Sequence, residues 1–388
     1  MLQRLFIFLL IFLILPDIYL YLRFIVHLTA RRWLKILYWL PTFLLSTGLL
    51  YLVYFSNNAF AERHTQDIGW FSIFFFLFTA PKLLLFLCTV IGIPFHKWLR
   101  WPRTPFICTG LTLAVVSIAM IIYGSFIGRT QFDVKEVTYS SSKLPSSFDG
   151  YRIVQLSDIH IGSWQGNASA IQNLVNLVNE QHPDLIVFTG DLVNHRAIEL
   201  NDFQHILAGL KAKDGVYSIL GNHDYGPYFR WKNKQEQDDN LSDLQQRQAA
   251  MGWKLLNNSH TILIQGNDSI ALIGVENEGE PPFSQYADLP KAMQGTEGMF
   301  QILLSHNPTH WRREVLPESD IDLMLAGHTH AMQLKLGNYS PSSYIYPEWS
   351  GMYLEGTHGL YVNVGIGYVG LPFRFGAWPE ITVLTLRR

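Results

Sequence analysis

Four apolar runs fall within the first third of the chain, at Leu5–Leu22, Ile36–Phe55, Trp70–Phe95 and Phe106–Ile127. Each is close to the length that crosses a bilayer as a helix, about 20 residues. Hydrocarbon offers no partner to a backbone N–H or C=O, so such runs must close their own hydrogen bonds as helices. They divide the chain into a membrane domain of four transmembrane helices (1–128), a linker with an edge strand (129–150) and a globular domain (151–388). The division explains why only 15% of the residues are charged, against about 25% in soluble proteins. Arg4 before the first run resembles the start of a signal peptide, but no small-residue cleavage site follows, so the run reads as an uncleaved anchor. The net charge of −2, with no long basic run beyond the membrane region, argues against nucleic acid as a partner. The bilayer is the partner that the sequence does imply.

Charge between the runs sets an expected topology. The first connection carries Arg31, Arg32 and Lys35, near Arg23, and the third carries Lys97, Arg100 and Arg103. The second offers only Arg63 against Glu62 and Asp67. Positive connections stay cytoplasmic, so the fourth run exits and the globular domain is expected outside the cytoplasm. Two charges interrupt the runs: Asp17 follows Pro16 and can sit near an interface, and Lys82 can snorkel. A direct Asp17–Lys82 pair is the alternative.

In the globular part, five polar clusters each follow a short apolar, β-type run. Asp158-Ile-His160 follows Arg152–Ser157, Gly190-Asp191 follows Asp184–Thr189, and Gly221-Asn222-His223-Asp224 follows Gly215–Leu220. Ser305-His306 follows Gln301–Leu304, and Gly327-His328-Thr329-His330 follows Ile321–Ala326. Loops at strand C-termini can converge although they are distant in sequence. Two Asp, four His and one Asn delivered to one place form a nitrogen and oxygen ligand set for two metal ions, and a fifth His, beside an Asp, is left for proton transfer. No Cys lies in this part, so two divalent ions such as Mn, Fe or Zn suit the donors better than a soft thiolate site. The chain reads as a binuclear metal-dependent hydrolase.

The order of these motifs, from Phe132 to Leu386, resembles the calcineurin-like metallophosphoesterase superfamily, closest to its bacterial membrane-associated branch. The resemblance implies a mixed α/β, four-layer αββα sandwich. It implies that Asp158, His160, Asp191 and His330 hold one metal, and that Asp191, Asn222, His306 and His328 hold the other, with Asp191 bridging. His223 would act as general acid, oriented and favoured in its protonated form by Asp224. The chemistry implied is attack of a metal-bridging hydroxide on a phosphoester. Two positions depart from the pattern: Asn194 stands where many members carry Asp, and Ala331-Met332-Gln333 replaces Gly-Gly-Gln.

Asn167–Gln181 carries Ile171, Leu174, Val175 and Val178 in the stripe of a helix packed on a sheet. Ser269–Val275, Gly359–Val364 and Ile381–Leu386 supply further strands. Two insertions are expected to shape the substrate site. One holds Tyr225, Tyr228, Phe229 and Trp231 before the polar run Lys232–Gln248, and the other holds Tyr339, Tyr344, Tyr346, Trp349 and Tyr353. His195 and His310 are expected to line the pocket. The functional expectation is an integral protein of a bacterial cell membrane hydrolysing a phosphomonoester or diester, with a lipid-linked or envelope substrate suggested by the tether. Two rival functions are compatible with the same motifs. A cytoplasm-facing pyrophosphohydrolase of a nucleotide-linked lipid precursor (UDP-diacylglucosamine type) is opposed by the charge topology, and a non-catalytic membrane sensor by the completeness of the motifs.

Overall fold

The computed structural model describes residues 2–55, 65–279, 281 and 283–388. It forms two compact units, one of residues 1–127 with 370–373, the other of residues 128–369 with 374–388. The second inter-span connection, with Glu62, Arg63 and His64, lies outside the described residues.

Among the described residues, four helices are long and apolar enough to cross a membrane: Phe8–Leu28, Arg32–Val53, Asp67–Leu99 and Thr104–Thr130. Helix α1 (Leu2–Leu20) passes through a π-helical turn, Tyr21–Ile25, before ending at Val26–Leu28. It is followed by α2 (Arg32–Phe55), α3 (Thr65–Leu99) and α4 (Thr104–Phe126). Leu13, Leu45, Leu49 and Phe75 form a small apolar core among α1, α2 and α3. Asp17 is fully buried beside it. Lys82 Nζ approaches Asp17 Oδ1 at 2.8 Å, Tyr38 donates its hydroxyl to Oδ1 at 3.3 Å, and the Thr42 hydroxyl also donates to this carboxylate. The two intramembrane charges therefore pair directly.

The second unit holds two six-stranded sheets. Strands β1 (Asp133–Ser140), β2 (Arg152–Leu156), β3 (Leu185–Phe188), β4 (Val216–Ser218) and β5 (Trp253–Leu255) join β12 (Glu380–Arg387) in the order β1-β12-β2-β3-β4-β5. Strands β6 (Ser259–Gln265), β7 (Asp268–Gly274), β8 (Phe300–Leu304), β9 (Leu323–Ala326), β10 (Gly351–Glu355) and β11 (His358–Val362) form the other, in the order β10-β11-β9-β8-β7-β6. β2 to β5 run parallel, as do β7, β8, β9 and β11.

Side chains alternate across a strand, and here both faces are apolar. Ile153, Leu185 and Val187 meet Leu272, Ile302 and Leu325 between the sheets. Their chain neighbours Val154, Ile186 and Phe188 point outward onto Ile171, Leu174 and Val178 of helix α5 (Ala168–Glu180). Ala271, Ile273 and Leu303 pack outward from the other sheet against Leu289, Trp311 and Val315 on short helical segments. The result is the expected four-layer αββα sandwich. The polar run after Trp231 folds as helix α6 (Lys234–Ala250), not as a loop over the site, and buries Leu244 and Gln248.

Candidate metal centre

The parallel strands β2, β3, β4, β8 and β9 end in the five polar clusters, and the loops that follow interlock. Asp158 N–H donates to the Gly190 carbonyl (2.9 Å), His160 N–H to Asp191 (3.1 Å) and Gly327 N–H to His306 (2.9 Å). Glycine is required where these loops touch: a Cβ on Gly221 would lie 2.2 Å from Asp191 Oδ1, and one on Gly327 1.9 Å from Ser157 Oγ. Asp158, His160, Asp191, His328 and His330 all hold left-handed backbone, with φ between 45° and 72°. Strain of this kind persists where the surroundings over-determine it, and it clusters at functional sites.

The structure brings the seven candidate ligands together in two groups. Around one point, His160 Nε2 faces His330 Nε2 at 3.1 Å, His330 Nε2 lies 3.3 Å from Asp158 Oδ1, and His160 Nε2 lies 3.6 Å from Asp191 Oδ2. Around the other, His306 Nε2 lies 3.3 Å from Asp191 Oδ2, 3.2 Å from Asn222 Oδ1 and 3.2 Å from His328 Nδ1. His306 donates Nδ1–H to the Thr189 carbonyl (2.7 Å), so the neutral ring turns the lone pair of Nε2 inward. Ring nitrogens and carboxylate oxygens that face one another in this way share too few protons to satisfy every lone pair. A cation at each point would satisfy them, and the donor set suits divalent ions.

Without metal, the electrostatics are those of a crowded buried cluster. Burial opposes a charge on His306, yet Asp191, joined by Asp158 and the Thr189 carbonyl, outweighs it and holds the imidazole up at about 9. Burial, and then the charge of His306, push His328 down to about 3. Burial raises Asp158 to about 6, with Asp191 adding to the rise and His306 opposing it.

His223 sits at the edge of the first group, its ring 4.7 Å from that of His160, and its backbone N–H donates to Asp191 Oδ1 (2.8 Å). The expected His223–Asp224 side-chain pair is not what holds the ring. Nδ1–H donates to the Asn194 carbonyl at 2.7 Å. Asp224 instead accepts the backbone N–H groups of Asp191, Leu192 and Gly221 at 2.9 Å and of Val193 at 3.2 Å. A fully buried carboxylate takes the nearest unpaired donors, and these belong to the turn carrying Asp191. Asp224 thus shapes the backbone under Asp191, while Asn194 acts on His223 through its main chain. Glu199 anchors that segment by accepting the N–H groups of Asn194, His195 and Arg196.

Other expectations divide. His195 lies beside His223, 6.2 Å between rings, whereas buried His310 is bound to Ser305 and Glu314. The Tyr228 ring lies tilted against His223 at 4.4 Å and its hydroxyl accepts from Asn222, and the Tyr346 hydroxyl lies 3.1 Å from His328 Nε2. Tyr225 is core, and Tyr339 and Tyr344 are exposed against each other. Two site residues escaped the sequence reading: Phe283, whose ring meets His328 at 4.7 Å, and the fully buried Arg374, whose Nη2 lies 3.0 Å from His330 Nδ1. Ala331 and Met332 take left-handed φ of 47° and 46°, where the related motif places glycines, and Gln333, which the motif shares, follows at 60°. Each non-glycine residue there costs roughly 1 kcal/mol.

Comparison with known proteins agrees with this geometry. A family model described as Calcineurin-like phosphoesterase matches residues 151–332. A second, described as "Probable Calcineurin-like phosphoesterase, transmembrane domain", matches residues 3–129. The chain is 32% identical over 284 residues to the zebrafish (Danio rerio) "Transmembrane protein with metallophosphoesterase domain", covering 71% of this chain and 62% of that protein, less than two thirds of its length. It is 31% identical over 281 residues to the "Uncharacterized metallophosphoesterase YkuE" of Bacillus subtilis, covering 68% and 89%. A bovine (Bos taurus) "Transmembrane protein with metallophosphoesterase domain" is 29% identical over 328 residues, covering 79% and 71%. The chain belongs to the calcineurin-like phosphoesterases, a family of metal-dependent phosphoric ester hydrolases, and is an integral membrane member of it.

Proposed function

We propose, from this membership, that the chain is a membrane-anchored binuclear phosphoesterase that hydrolyses a phosphomonoester or diester of a lipid or envelope component outside the cytoplasm. The observation that carries the proposal is the two-point cluster of seven buried or half-buried ligands joined at Asp191. Asp158, His160, Asp191 and His330 would hold one divalent ion, and Asp191, Asn222, His306 and His328 the other, with Mn, Fe or Zn the fitting metals. Such ions lower the pKa of water and neutralise phosphoryl oxygens in the transition state.

The chain's own contribution is positioning and proton transfer. With Nδ1–H committed to the Asn194 carbonyl, His223 is left with Nε2 as its exchanging atom. Protonated there, it can donate to the leaving oxygen of the ester. Tyr228 against His223, and Phe283 and Tyr346 against His328, supply aromatic rings beside these groups. The lipid or envelope substrate is supported by the four spans that keep the domain at a bilayer.

The test uses the purified full-length protein loaded with Mn, Fe or Zn and presented with aryl phosphates, aryl diesters and phospholipids. Hydrolysis that disappears on chelation and in Asp191→Ala is expected, because among the described residues Asp191 is the carboxylate shared by both groups. Metal analysis of Asp191→Ala should show both ions lost. Two ions at full occupancy in that variant would remove Asp191 from the bridging role.

A further inference from the structure

We propose that the membrane unit carries its own binding site for the phosphate headgroup of an anionic phospholipid, built from Arg23 and Arg103. Both guanidinium side chains line a cavity of ≈ 270 Å³, together with Tyr19, Thr89, Gly92 and Phe106. Among the described residues no carboxylate lines it, and no acidic partner is seen for either arginine. Both arginines are exposed, so at the edge of a bilayer their two charges on one cavity are open to an anionic headgroup, which attracts basic side chains there. Their planar donor forks fit phosphate oxygens pairwise.

Chain geometry places this cavity at headgroup level. Arg23 lies near the end of the first span, Phe8–Leu28, and Arg103 immediately precedes the fourth, Thr104–Thr130. The second and third spans cross and return, so these two ends share one side of the bilayer. Trp33, Trp98 and Trp101, all more than half exposed, belong to the same side. Tryptophan marks the membrane interface, which is where a lipid phosphate lies. Arg23 also stands in the π-helical turn Tyr21–Ile25. Such turns are rare and are frequently found at functional sites. Gly92 lets the Phe106 ring seat closely against α3 at the wall of the cavity, since a Cβ there would come within 2.8 Å of that ring. The volume suits a headgroup, below the roughly 300–1,000 Å³ of pockets that enclose whole small molecules. The acyl chains would stay in the bilayer. Basic pockets between spans on the positively charged side of a membrane protein bind anionic headgroups by this chemistry.

Native mass spectrometry of the full-length protein, titrated with phosphatidylglycerol, phosphatidylcholine or inorganic phosphate, tests the proposal. Saturable retention of phosphatidylglycerol over phosphatidylcholine is expected, and R23Q/R103Q should weaken it about tenfold or more. The control R31Q/R32Q removes the same charge from the same side but off the cavity, and should change little. R23K/R103K keeps the charge, guards against a folding defect in the first variant, and should bind several-fold more weakly because the forks are lost. Equal retention of phosphatidylcholine, equal loss in R31Q/R32Q, or full retention in R23K/R103K would overturn the site. Displacement of the lipid by inorganic phosphate at equal concentration would overturn the lipid as its occupant.

Discussion

His223 and His306 both fix Nδ1 on a carbonyl and leave Nε2 free, and what that atom faces separates proton transfer from metal binding. His223 fixes Nδ1 on a carbonyl at the rim, whereas His306 fixes Nδ1 on a carbonyl and turns Nε2 toward Asp191 and Asn222. His223→Asn should therefore keep its metal content and lose about 10²–10⁴-fold in turnover on esters with poor leaving groups, much less on acidic phenols. His306→Asn should lose an ion and impair every substrate alike. Equal losses across leaving groups for His223→Asn would show that it is not the acid. A pH effect follows from Asp191 holding His306 up at about 9. Between pH 7 and 9 the metal-free imidazole is mostly protonated, so an ion binding there must expel that proton. Apparent affinity for this ion should rise about tenfold per pH unit toward 9 and then level off. Chelator competition at pH 7 and 8 reads it, and identical affinities would contradict the assignment. The seven candidate ligands were legible because each belongs to a short motif on a strand end. Arg374 and Phe283 were not, because each reaches the site from an irregular segment with no motif around it. Asp224 was misread because sequence adjacency to His223 suggests a side-chain pair, whereas the turn points its carboxylate at backbone donors.

Elements were legible where burial leaves a period. β2, β3, β8 and β9 bury both faces and read as short apolar runs, and α5 carries its stripe at helical spacing. β5, β6 and β10 are edge strands with half-exposed residues, so their apolar signal is diluted. α6 exposes nearly all of its length and is held by Leu244, Gln248 and an Asn233 cap that accepts from Glu236 N–H, which composition alone reads as a loop. In the membrane unit, charge within an apolar helix was visible but its pairing was open. The Asp17–Lys82 contact with Tyr38 and Thr42 ties α1, α2 and α3 together where apolar packing alone gives little specificity. Lys82→Met leaves a buried carboxylate without its cation and should destabilise the full-length protein by about 3–5 kcal/mol. Adding Asp17→Asn should recover much of that loss. Thermal midpoints in one detergent compare the three proteins, and a single variant as stable as the wild type would show that the pair is idle.

At the scale of the whole molecule, the decisive quantity is which side of the membrane receives the phosphoesterase unit, because that limits the esters it can meet. The charge pattern is a property of the chain and not of the fold: Arg31, Arg32 and Lys35 in one connection and Lys97, Arg100 and Arg103 in another belong to the same side. Retaining both clusters in the cytoplasm forces an even number of crossings between them and a single crossing after Arg103. A reporter active only outside the cytoplasm, fused after Arg388 in a bacterial host, should therefore be active, and the same reporter fused after Arg100 should be silent. Replacing Lys97, Arg100 and Arg103 together by glutamine should weaken the bias and raise activity at the second fusion point, since positive charge close to the span ends is what sets orientation. The reverse pattern in the unaltered chain would put the metal cluster in the cytoplasm. Nucleotide-linked lipid precursors would then be within its reach, and the aromatic rings of Tyr228, Phe283 and Tyr346 would be surfaces for a base to stack on.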